Sequence, residues 1–218
     1  MDYQAVLFDF DYTLGDATPS IYEGFLYGFE KMGYPSPSLE AVRQTIGLML
    51  EDAFTSLTGE ASPDKRNAFR RFFHDKVGNS QAEKTTLFPG AAELIRALCD
   101  EGVQVGVVSS KRSTTLRQIL SRFGLLERMG YVTGGELVRR PKPDPEGLNA
   151  GITALDVPKK AVLYCGDTVI DAETAQNAGV DFAAVLNGTT PVEAFAPYPH
   201  VYAAKDLPSL ARWLGLNI

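Results

Sequence analysis

The sequence predicts an α/β protein with a small all-α domain inserted near its start. From residue 88 onward, short apolar runs alternate with amphipathic segments, a pattern typical of a parallel sheet whose crossover helices cover both faces. Over residues 20–81, apolar positions recur at helical spacing and no clear strand is present. We therefore expect a Rossmann-like core formed by residues 1–15 and 85–218, and a helical domain over residues 16–84.

The expected elements follow from the apolar pattern and its breaks. Residues 3–8 form a short apolar run that predicts a buried first strand. In the helical domain, breaks at 33–37, 58–63 and 78–80 separate three or four helices. In the rest of the core we expect helices at 90–99, 114–123, 146–155, 171–178 and 207–214, and strands at 103–108, 131–133, 161–165, 182–186 and 200–203.

Composition excludes several classes of function. Hydrophobic residues make up 44% of the chain and charged residues 22%, as in globular proteins. The formal net charge of −6 gives no overall attraction for nucleic acid or for an anionic membrane surface. The sequence shows no signal peptide and no apolar run long enough to span a bilayer, so we expect a cytoplasmic protein. The two cysteines, Cys99 and Cys165, are expected to be reduced thiols.

Two acidic pairs follow two of the predicted strands. Asp9 and Asp11 come directly after the first strand, and Asp167 and Asp171 follow the strand at 161–165. Open α/β sheets form their sites at the carboxyl ends of strands, so these carboxylates are expected to meet there. A single Asp at such a position is most often a turn or helix-cap residue. Four together are costly unless a cation or a function compensates, which favours a functional site.

Two further segments carry groups that a phosphate-transfer site needs. Ser109 and Ser110 follow the strand at 103–108, although a Ser at such a position is equally often a helix cap. Lys142 lies between Pro141 and Pro143, which are expected to hold its backbone extended. Taken alone, a Lys in a proline-rich loop is usually just solvated.

In order along the chain, these residues form the motifs Asp-x-Asp, Ser after a strand, Lys, and Gly-Asp-x-x-x-Asp. The sequence thereby resembles the haloacid dehalogenase superfamily of phosphotransferases over nearly its whole length. The helical insert resembles the cap domain of that family, placed above the carboxyl ends of the strands as a lid. The segments 46–48 and 134–145 are similar to those of phosphoglycolate phosphatase relatives.

The resemblance implies a Mg²⁺-dependent phosphatase that acts on a small phosphorylated metabolite. Asp9 would be the nucleophile that forms an aspartyl-phosphate, and Asp11 would be the acid and then the base. Ser109 and the backbone of Ser110 would bind the phosphoryl oxygens, and Lys142 would stabilise the charge on Asp9 and on the phosphoryl group.

The same resemblance implies a set of metal ligands. Asp9 and Asp167 would bind Mg²⁺ through their side chains and Asp11 through its backbone carbonyl. Asp171 is the remaining candidate at the metal, either orienting a bound water or serving only as an acid in the first turn of a helix.

Three alternatives remain open. A sugar-phosphate mutase of the β-phosphoglucomutase type would use the same aspartate pair and cap. A haloacid dehalogenase is less favoured because halide departure does not require the acid that Asp11 supplies. A phosphometabolite-binding protein without turnover is suggested only by Tyr12, since the family usually has Gly at that position and Tyr tolerates positive φ poorly.

The choice of substrate is expected to depend on the cap, where Arg43 is a candidate substrate contact. The sequence does not decide among phosphoglycolate, pyrophosphate, nucleotides and sugar phosphates. It is compatible with a monomer or a homodimer.

Overall fold

The structure is a computed structural model that describes residues 2–78 and 80–218. The chain divides into two compact units, one formed by Met1–Asp16 together with Leu87–Ile218 and the other by Ala17–Thr86. Within the described residues, no helix combines the length and the apolar character that a membrane span requires.

The first unit is built on a six-stranded parallel sheet, which confirms the predicted fold class. The strands of the chain are β1 (Ala5–Phe8), β2 (Gly15–Asp16), β3 (Thr86–Leu87), β4 (Gln104–Val108), β5 (Met129–Thr133), β6 (Val162–Gly166), β7 (Asp181–Val185) and β8 (Tyr202–Ala204). The six-stranded sheet has the order β5-β4-β1-β6-β7-β8, and each neighbouring pair is parallel. From β1 the chain continues to β4 and β5 on one side of the sheet and then to β6, β7 and β8 on the other. The carboxyl end of β1 therefore lies at the change of direction where open α/β sheets form their sites.

Both faces of the sheet are covered. On one face, Leu7, Tyr164 and Phe182 pack with apolar side chains of the helices that follow β5 and β6. Val6 and Phe8 point to the opposite face because side chains alternate along a strand, and both are fully buried. Burial on both sides explains why the strands read as nearly continuous apolar runs.

The core helices lie within one or two residues of the predicted bounds. They are α6 (Ala91–Asp100), α7 (Ser113–Arg122), α8 (Glu146–Ala154), α9 (Val169–Ala178) and α10 (Leu207–Trp213). The short strands β2 and β3 were not predicted, because two residues are too few to show an alternating pattern.

The second unit is helical and has its own aromatic core. It contains α1 (Thr18–Met32), α2 (Leu39–Arg43), α3 (Leu50–Thr58), α4 (Pro63–Val77) and α5 (Ser80–Lys84), where three or four helices were expected. Residue 79, inside the predicted break at 78–80, lies outside the described residues. The aromatic core is formed by Phe25, Phe29, Phe54 and Phe69. α1 approaches α4 so closely that a Cβ on Gly28 would clash with the Phe69 ring.

Candidate active site

The loop after β1 is a tight turn that places Asp9 and Asp11 at the carboxyl end of the sheet. The carbonyl oxygen of Phe10 accepts the backbone N–H groups of Thr13, Leu14 and Gly15. Tyr12 adopts φ 58 in this turn, although left-handed backbone is unfavourable for residues other than Gly. Its N–H donates to the Gly15 carbonyl at 2.8 Å and its side chain is buried, so the fold supports the strained conformation.

Three of the predicted carboxylates meet at one point. Asp9 follows β1, Asp167 follows β6, and Asp171 lies in the first turn of α9. One carboxylate oxygen from each lies within 4.8 Å of the other two, and all three side chains are buried. The parallel pairing of β1 with β6 brings their ends together, as the sequence predicts.

Asp171 is fully engaged by hydrogen bonds. Its Oδ1 accepts from Lys142 Nζ at 2.6 Å and from the Tyr164 hydroxyl at 3.1 Å. Its Oδ2 accepts from the Thr168 backbone N–H at 3.1 Å and from Thr168 Oγ1 at 2.6 Å, forming a capping box at the start of α9. A carboxylate accepts about four hydrogen bonds. The expected first-turn role of Asp171 is therefore present, and its side chain also orients Lys142.

Lys142 joins the carboxylates of Asp171 and Asp9. Its Nζ lies 3.0 Å from Asp9 Oδ1, and its side chain is 7% exposed. It also donates to the Tyr164 hydroxyl at 3.3 Å, and the single proton of that hydroxyl is shared between Asp171 Oδ1 at 3.1 Å and the Val108 carbonyl at 2.9 Å. The Lys142–Pro143 bond is cis and the two residues lie in a turn, so the chain bends between the two prolines that flank Lys142. The sequence signal missed this because Pro tolerates either isomer.

Asp167 is held by two loops that are distant in sequence. Thr13 Oγ1 donates to Asp167 Oδ1 at 3.2 Å. On the other side, the backbone of Gly188 lies so close that an added Cβ would collide with Asp167 Oδ2. Asn187 Nδ2 donates to the Thr13 carbonyl at 3.2 Å and ties the two loops together. Asn187 and Gly188 stand out in the sequence as an Asn-Gly pair after the strand at 182–186, but the sequence alone does not connect this pair to the site.

The loop after β4 contributes Ser109 and also Lys111, which no motif in the sequence indicates. The Ser109 hydroxyl donates to Asp9 and accepts from the Lys111 N–H at 3.3 Å. Ser109 is not the N-cap of α7, which is Arg112. Ser109, Ser110 and Lys142 line a common cavity. Lys111 Nζ lies 2.9 Å from Asp11 Oδ2, and the Lys111 side chain is 4% exposed.

Arg43, the predicted substrate contact, belongs to the helical unit. It ends α2, and its Nη1 lies 3.8 Å from Glu40 Oε2. Its role toward substrate stays a prediction.

Burial dominates the electrostatics of this site. It raises the pKa of Asp9 from 3.8 to about 6, against the opposing effect of the Lys142 ammonium. Burial raises the pKa of Asp167 well above its usual value, and the charges of Asp171 and Asp9 add to the effect. The pKa of Asp11 is also raised by burial, in spite of Lys111. Burial disfavours the charge on Lys142, yet Asp171 and Asp9 outweigh it and raise its pKa well above 10.5.

We expect the metal-free protein to be less stable at pH 8 than at pH 5.5. A carboxyl whose pKa is raised on folding contributes stability below its unfolded pKa, and that contribution is lost as pH rises through the folded value. For Asp9 the window lies between 3.8 and about 6. The Tm in EDTA should fall by a few degrees between pH 5.5 and pH 8.

Excess Mg²⁺ should reduce this difference, because a bound cation favours the charged carboxylates. An Asp9→Asn variant in EDTA should show a smaller pH dependence than the wild type. Equal slopes for the two proteins would contradict the assignment of the effect to Asp9.

The donor atoms at this site fit a small hard cation. Asp11 Oδ1 is buried and lacks a hydrogen-bond partner among the described residues, and Asp9 Oδ1 is buried with only the ion pair to Lys142 Nζ at 3.0 Å. Mg²⁺ takes oxygen ligands and commonly uses only one or two carboxylates. Asp9 and Asp167 are the better ligand candidates, because both oxygens of Asp171 already accept hydrogen bonds.

Substitution of Gly188 tests whether its backbone sets the position of the Asp167 carboxylate. The methyl group in Gly188→Ala would displace the Asp167 carboxylate. We expect Mg²⁺ to bind about 10- to 100-fold more weakly, as for other groups that orient metal ligands. Calorimetric titration of Mg²⁺ into both proteins measures this directly. Unchanged affinity in a folded variant would show that Gly188 does not set the position of Asp167.

The fold and the site together define an α/β protein with a carboxylate-rich site at the carboxyl end of its central strand. The family model described as haloacid dehalogenase-like hydrolase matches residues 6–185. The chain therefore belongs to the haloacid dehalogenase-like hydrolases, which confirms the predicted family.

Relatives and solved structures agree with this assignment. A phosphoglycolate phosphatase of Cereibacter sphaeroides is 34% identical over 216 residues, which cover 96% of this chain and 98% of the relative. A pyrophosphatase of Halalkalibacterium halodurans is 29% identical and is covered over 99% of its length. The structure of a haloacid dehalogenase-like protein from Bacteroides fragilis superposes with a TM-score of 0.92 at 34% identity, covering 95% of this chain and 99% of the other.

Proposed function

We propose that this protein is a Mg²⁺-dependent phosphatase that hydrolyses a small phosphorylated metabolite through an aspartyl-phosphate on Asp9. The observation that carries the proposal is the buried convergence of Asp9, Asp167 and Asp171 within 4.8 Å, with Lys142 Nζ 3.0 Å from Asp9. Membership of the haloacid dehalogenase-like hydrolases supports the same conclusion.

Asp9 is the proposed nucleophile. Its carboxylate attacks phosphorus in line with the departing oxygen, so that one displacement by water becomes two displacements through a covalent intermediate. Lys142 supports the attack by lying between Asp9 and Asp171 and by offering positive charge to the phosphoryl oxygens. Ser109, which donates to Asp9, is placed to donate to a phosphoryl oxygen when phosphate is present.

Asp11 is the proposed acid and base. It lies two residues from Asp9 in the same turn, and burial raises its pKa, which favours a carboxyl that can carry a proton. It would give this proton to the oxygen of the departing group. It would then accept a proton from the water that attacks the aspartyl-phosphate, and free Asp9 would be restored.

Mg²⁺, held by Asp9, Asp167 and the Asp11 carbonyl, would neutralise charge between an anionic nucleophile and an anionic phosphate. The chain provides the buried oxygens for this purpose, and Thr13 and Gly188 hold the Asp167 carboxylate in place. Asp171 serves as a positioning residue through its hydrogen bond to Lys142.

We propose phosphoglycolate and pyrophosphate as the first candidate substrates, because relatives that match nearly the whole chain carry these activities in their names. In both compounds the group that leaves phosphorus bears its own negative charge. The helical unit is the proposed substrate-selecting cap, with Arg43 as a candidate contact.

The test is steady-state release of phosphate. The purified protein with Mg²⁺ should release phosphate from p-nitrophenyl phosphate and from at least one compound in a panel of phosphorylated metabolites, and EDTA should abolish release. No release from any compound, with Mg²⁺ or Mn²⁺ present, would reject the proposal. Conversion to an isomeric sugar phosphate without net release would identify a mutase instead.

A further inference from the structure

Lys111 is a buried cation that the proposed chemistry does not yet use. Its side chain is 4% exposed, and Nζ forms an ion pair with Asp11 Oδ2 at 2.9 Å. Burying an ammonium is costly, so a Lys of this kind is retained only where its charge is paired or used. An ammonium has three N–H donors, and one ion pair with Asp11 uses only part of that capacity.

The backbone around Lys111 is fixed by the loop that follows β5. Gly134 packs so closely that an added Cβ would collide with the Lys111 carbonyl oxygen and the Ser113 N–H. Glu136 Oε1 accepts from the Ser113 N–H at 2.9 Å and from the Ser113 hydroxyl at 2.6 Å. The Lys111 N–H itself donates to Ser109. The ammonium therefore projects from a rigid turn rather than from a solvated loop.

Lys142 and Lys111 are paired with different members of the aspartate pair. Lys142 lies 3.0 Å from Asp9, the proposed nucleophile, whereas Lys111 lies 2.9 Å from Asp11, the proposed acid. An acid acts from hydrogen-bond distance of the oxygen that leaves phosphorus. Lys111 Nζ would then lie on the order of 6 Å from that oxygen, which is the sum of two such distances. An anionic group carried one or two bonds beyond the leaving oxygen can reach this ammonium.

We infer that Lys111 binds an anionic group on the leaving group of the substrate. The substrate class is thereby phosphate compounds whose departing oxygen is attached to a carboxylate-bearing carbon or to a second phosphate. The inference rests on the proposed phosphatase function and specifies the substrate of that site. The candidate substrates proposed above both have this feature, and esters of uncharged alcohols lack it.

The test compares matched substrates in the wild type and in Lys111 variants. 2-Phosphoglycolate and ethyl phosphate share the same ester linkage. The first carries a carboxylate where the second carries a methyl group. In the wild type, kcat/KM should be at least about 10-fold higher for the anionic member of the pair. Lys111→Met should lower kcat/KM for 2-phosphoglycolate about 10- to 100-fold more than for ethyl phosphate, and Lys111→Arg should retain most of the preference. Pyrophosphate is compared in the same way. If Lys111→Met lowers kcat/KM more for 2-phosphoglycolate than for pyrophosphate, the anion that Lys111 binds is a carboxylate, and the reverse result identifies a phosphate.

The outcomes separate this inference from the proposed function. If the wild type releases phosphate from no compound, the function itself fails. If the wild type is active but hydrolyses ethyl phosphate as well as 2-phosphoglycolate and pyrophosphate, the inference fails and the function stands. An equal loss for all substrates in Lys111→Met would show that Lys111 only supports Asp11. If Lys111→Met does not fold, the wild type can still reject the inference by showing no preference for the anionic substrates, and Lys111→Arg tests whether the preference depends on this side chain. Lys205→Met, at an exposed position beside Asp206, is the control that should leave all ratios unchanged.

Discussion

Asp9→Asn is expected to abolish phosphate release while leaving the protein folded. The amide is isosteric with the carboxylate but cannot attack phosphorus, so kcat should fall by about 10⁴-fold or more. Stability should not suffer at pH 8, because the substitution removes one of several crowded buried carboxylates and Lys142 keeps its 2.6 Å contact with Asp171. We expect the Tm in EDTA at pH 8 to be equal to that of the wild type or higher.

A matched surface variant makes this result interpretable. Asp100→Asn removes an acid of the same type from an exposed ion pair with Arg128, and it should change neither kcat nor Tm measurably. Turnover in Asp9→Asn within 10-fold of the wild type would show that another residue attacks phosphorus.

Lys142→Met is expected to give the largest combined loss of activity and stability. The substitution leaves Asp9 and Asp171 without their shared cation, and their side chains are 2% and 0% exposed. Breaking a buried ion pair by removing one partner costs about 3–5 kcal/mol in the free energy of unfolding. The activity should fall by about 10³-fold, because the positive charge at the phosphoryl group is also lost.

The pH dependence of this loss is its diagnostic feature. The destabilisation should be greatest above pH 7 and should shrink toward pH 5, because a neutral Asp9 no longer needs the ammonium, and its pKa with Lys142 present is already about 6. Chemical unfolding in EDTA at pH 5.5 and pH 8 measures the difference, with Lys205→Met as an exposed control. If the destabilisation in Lys142→Met did not change with pH, the loss of stability would come from altered packing alone.

The sequence was sufficient to predict the sheet and the acidic centre because both depend on local signals. A buried parallel strand reads as an apolar run, and the polar residue at its carboxyl end marks the edge where sites form. Asp9, Ser109 and Asp167 each follow such a run. Their convergence therefore follows from the pairing of β1 with β4 and β6.

The groups that support this centre could not be predicted in the same way. In the sequence, Lys111 is an ordinary polar loop residue. Only the pairing of β1 with β4 brings its Nζ to 2.9 Å from Asp11 Oδ2. Asn187 reaches Thr13 across 174 positions of sequence, and Tyr164 appears as one more apolar residue of β6 although its hydroxyl contacts both Lys142 and Asp171. Such contacts depend on tertiary packing and leave no periodic signal in the sequence.

Tyr12 illustrates a local preference overridden by its surroundings. Tyr disfavours positive φ, yet residue 12 adopts φ 58 because the turn around the Phe10 carbonyl requires it and the side chain is buried. Although position 12 has Tyr in place of the usual Gly, Asp9 and Asp11 lie at the carboxyl end of β1, where the motif predicts them.

The most direct test of the account is a crystal structure of the protein with Mg²⁺ and beryllium fluoride, which mimics a phosphoryl group on a carboxylate. We predict beryllium bonded to Asp9, Mg²⁺ coordinated by the side chains of Asp9 and Asp167, and Lys142 in contact with a fluorine atom. Mg²⁺ bound away from Asp9 and Asp167, or beryllium bonded to any other residue, would contradict the proposed aspartyl-phosphate chemistry.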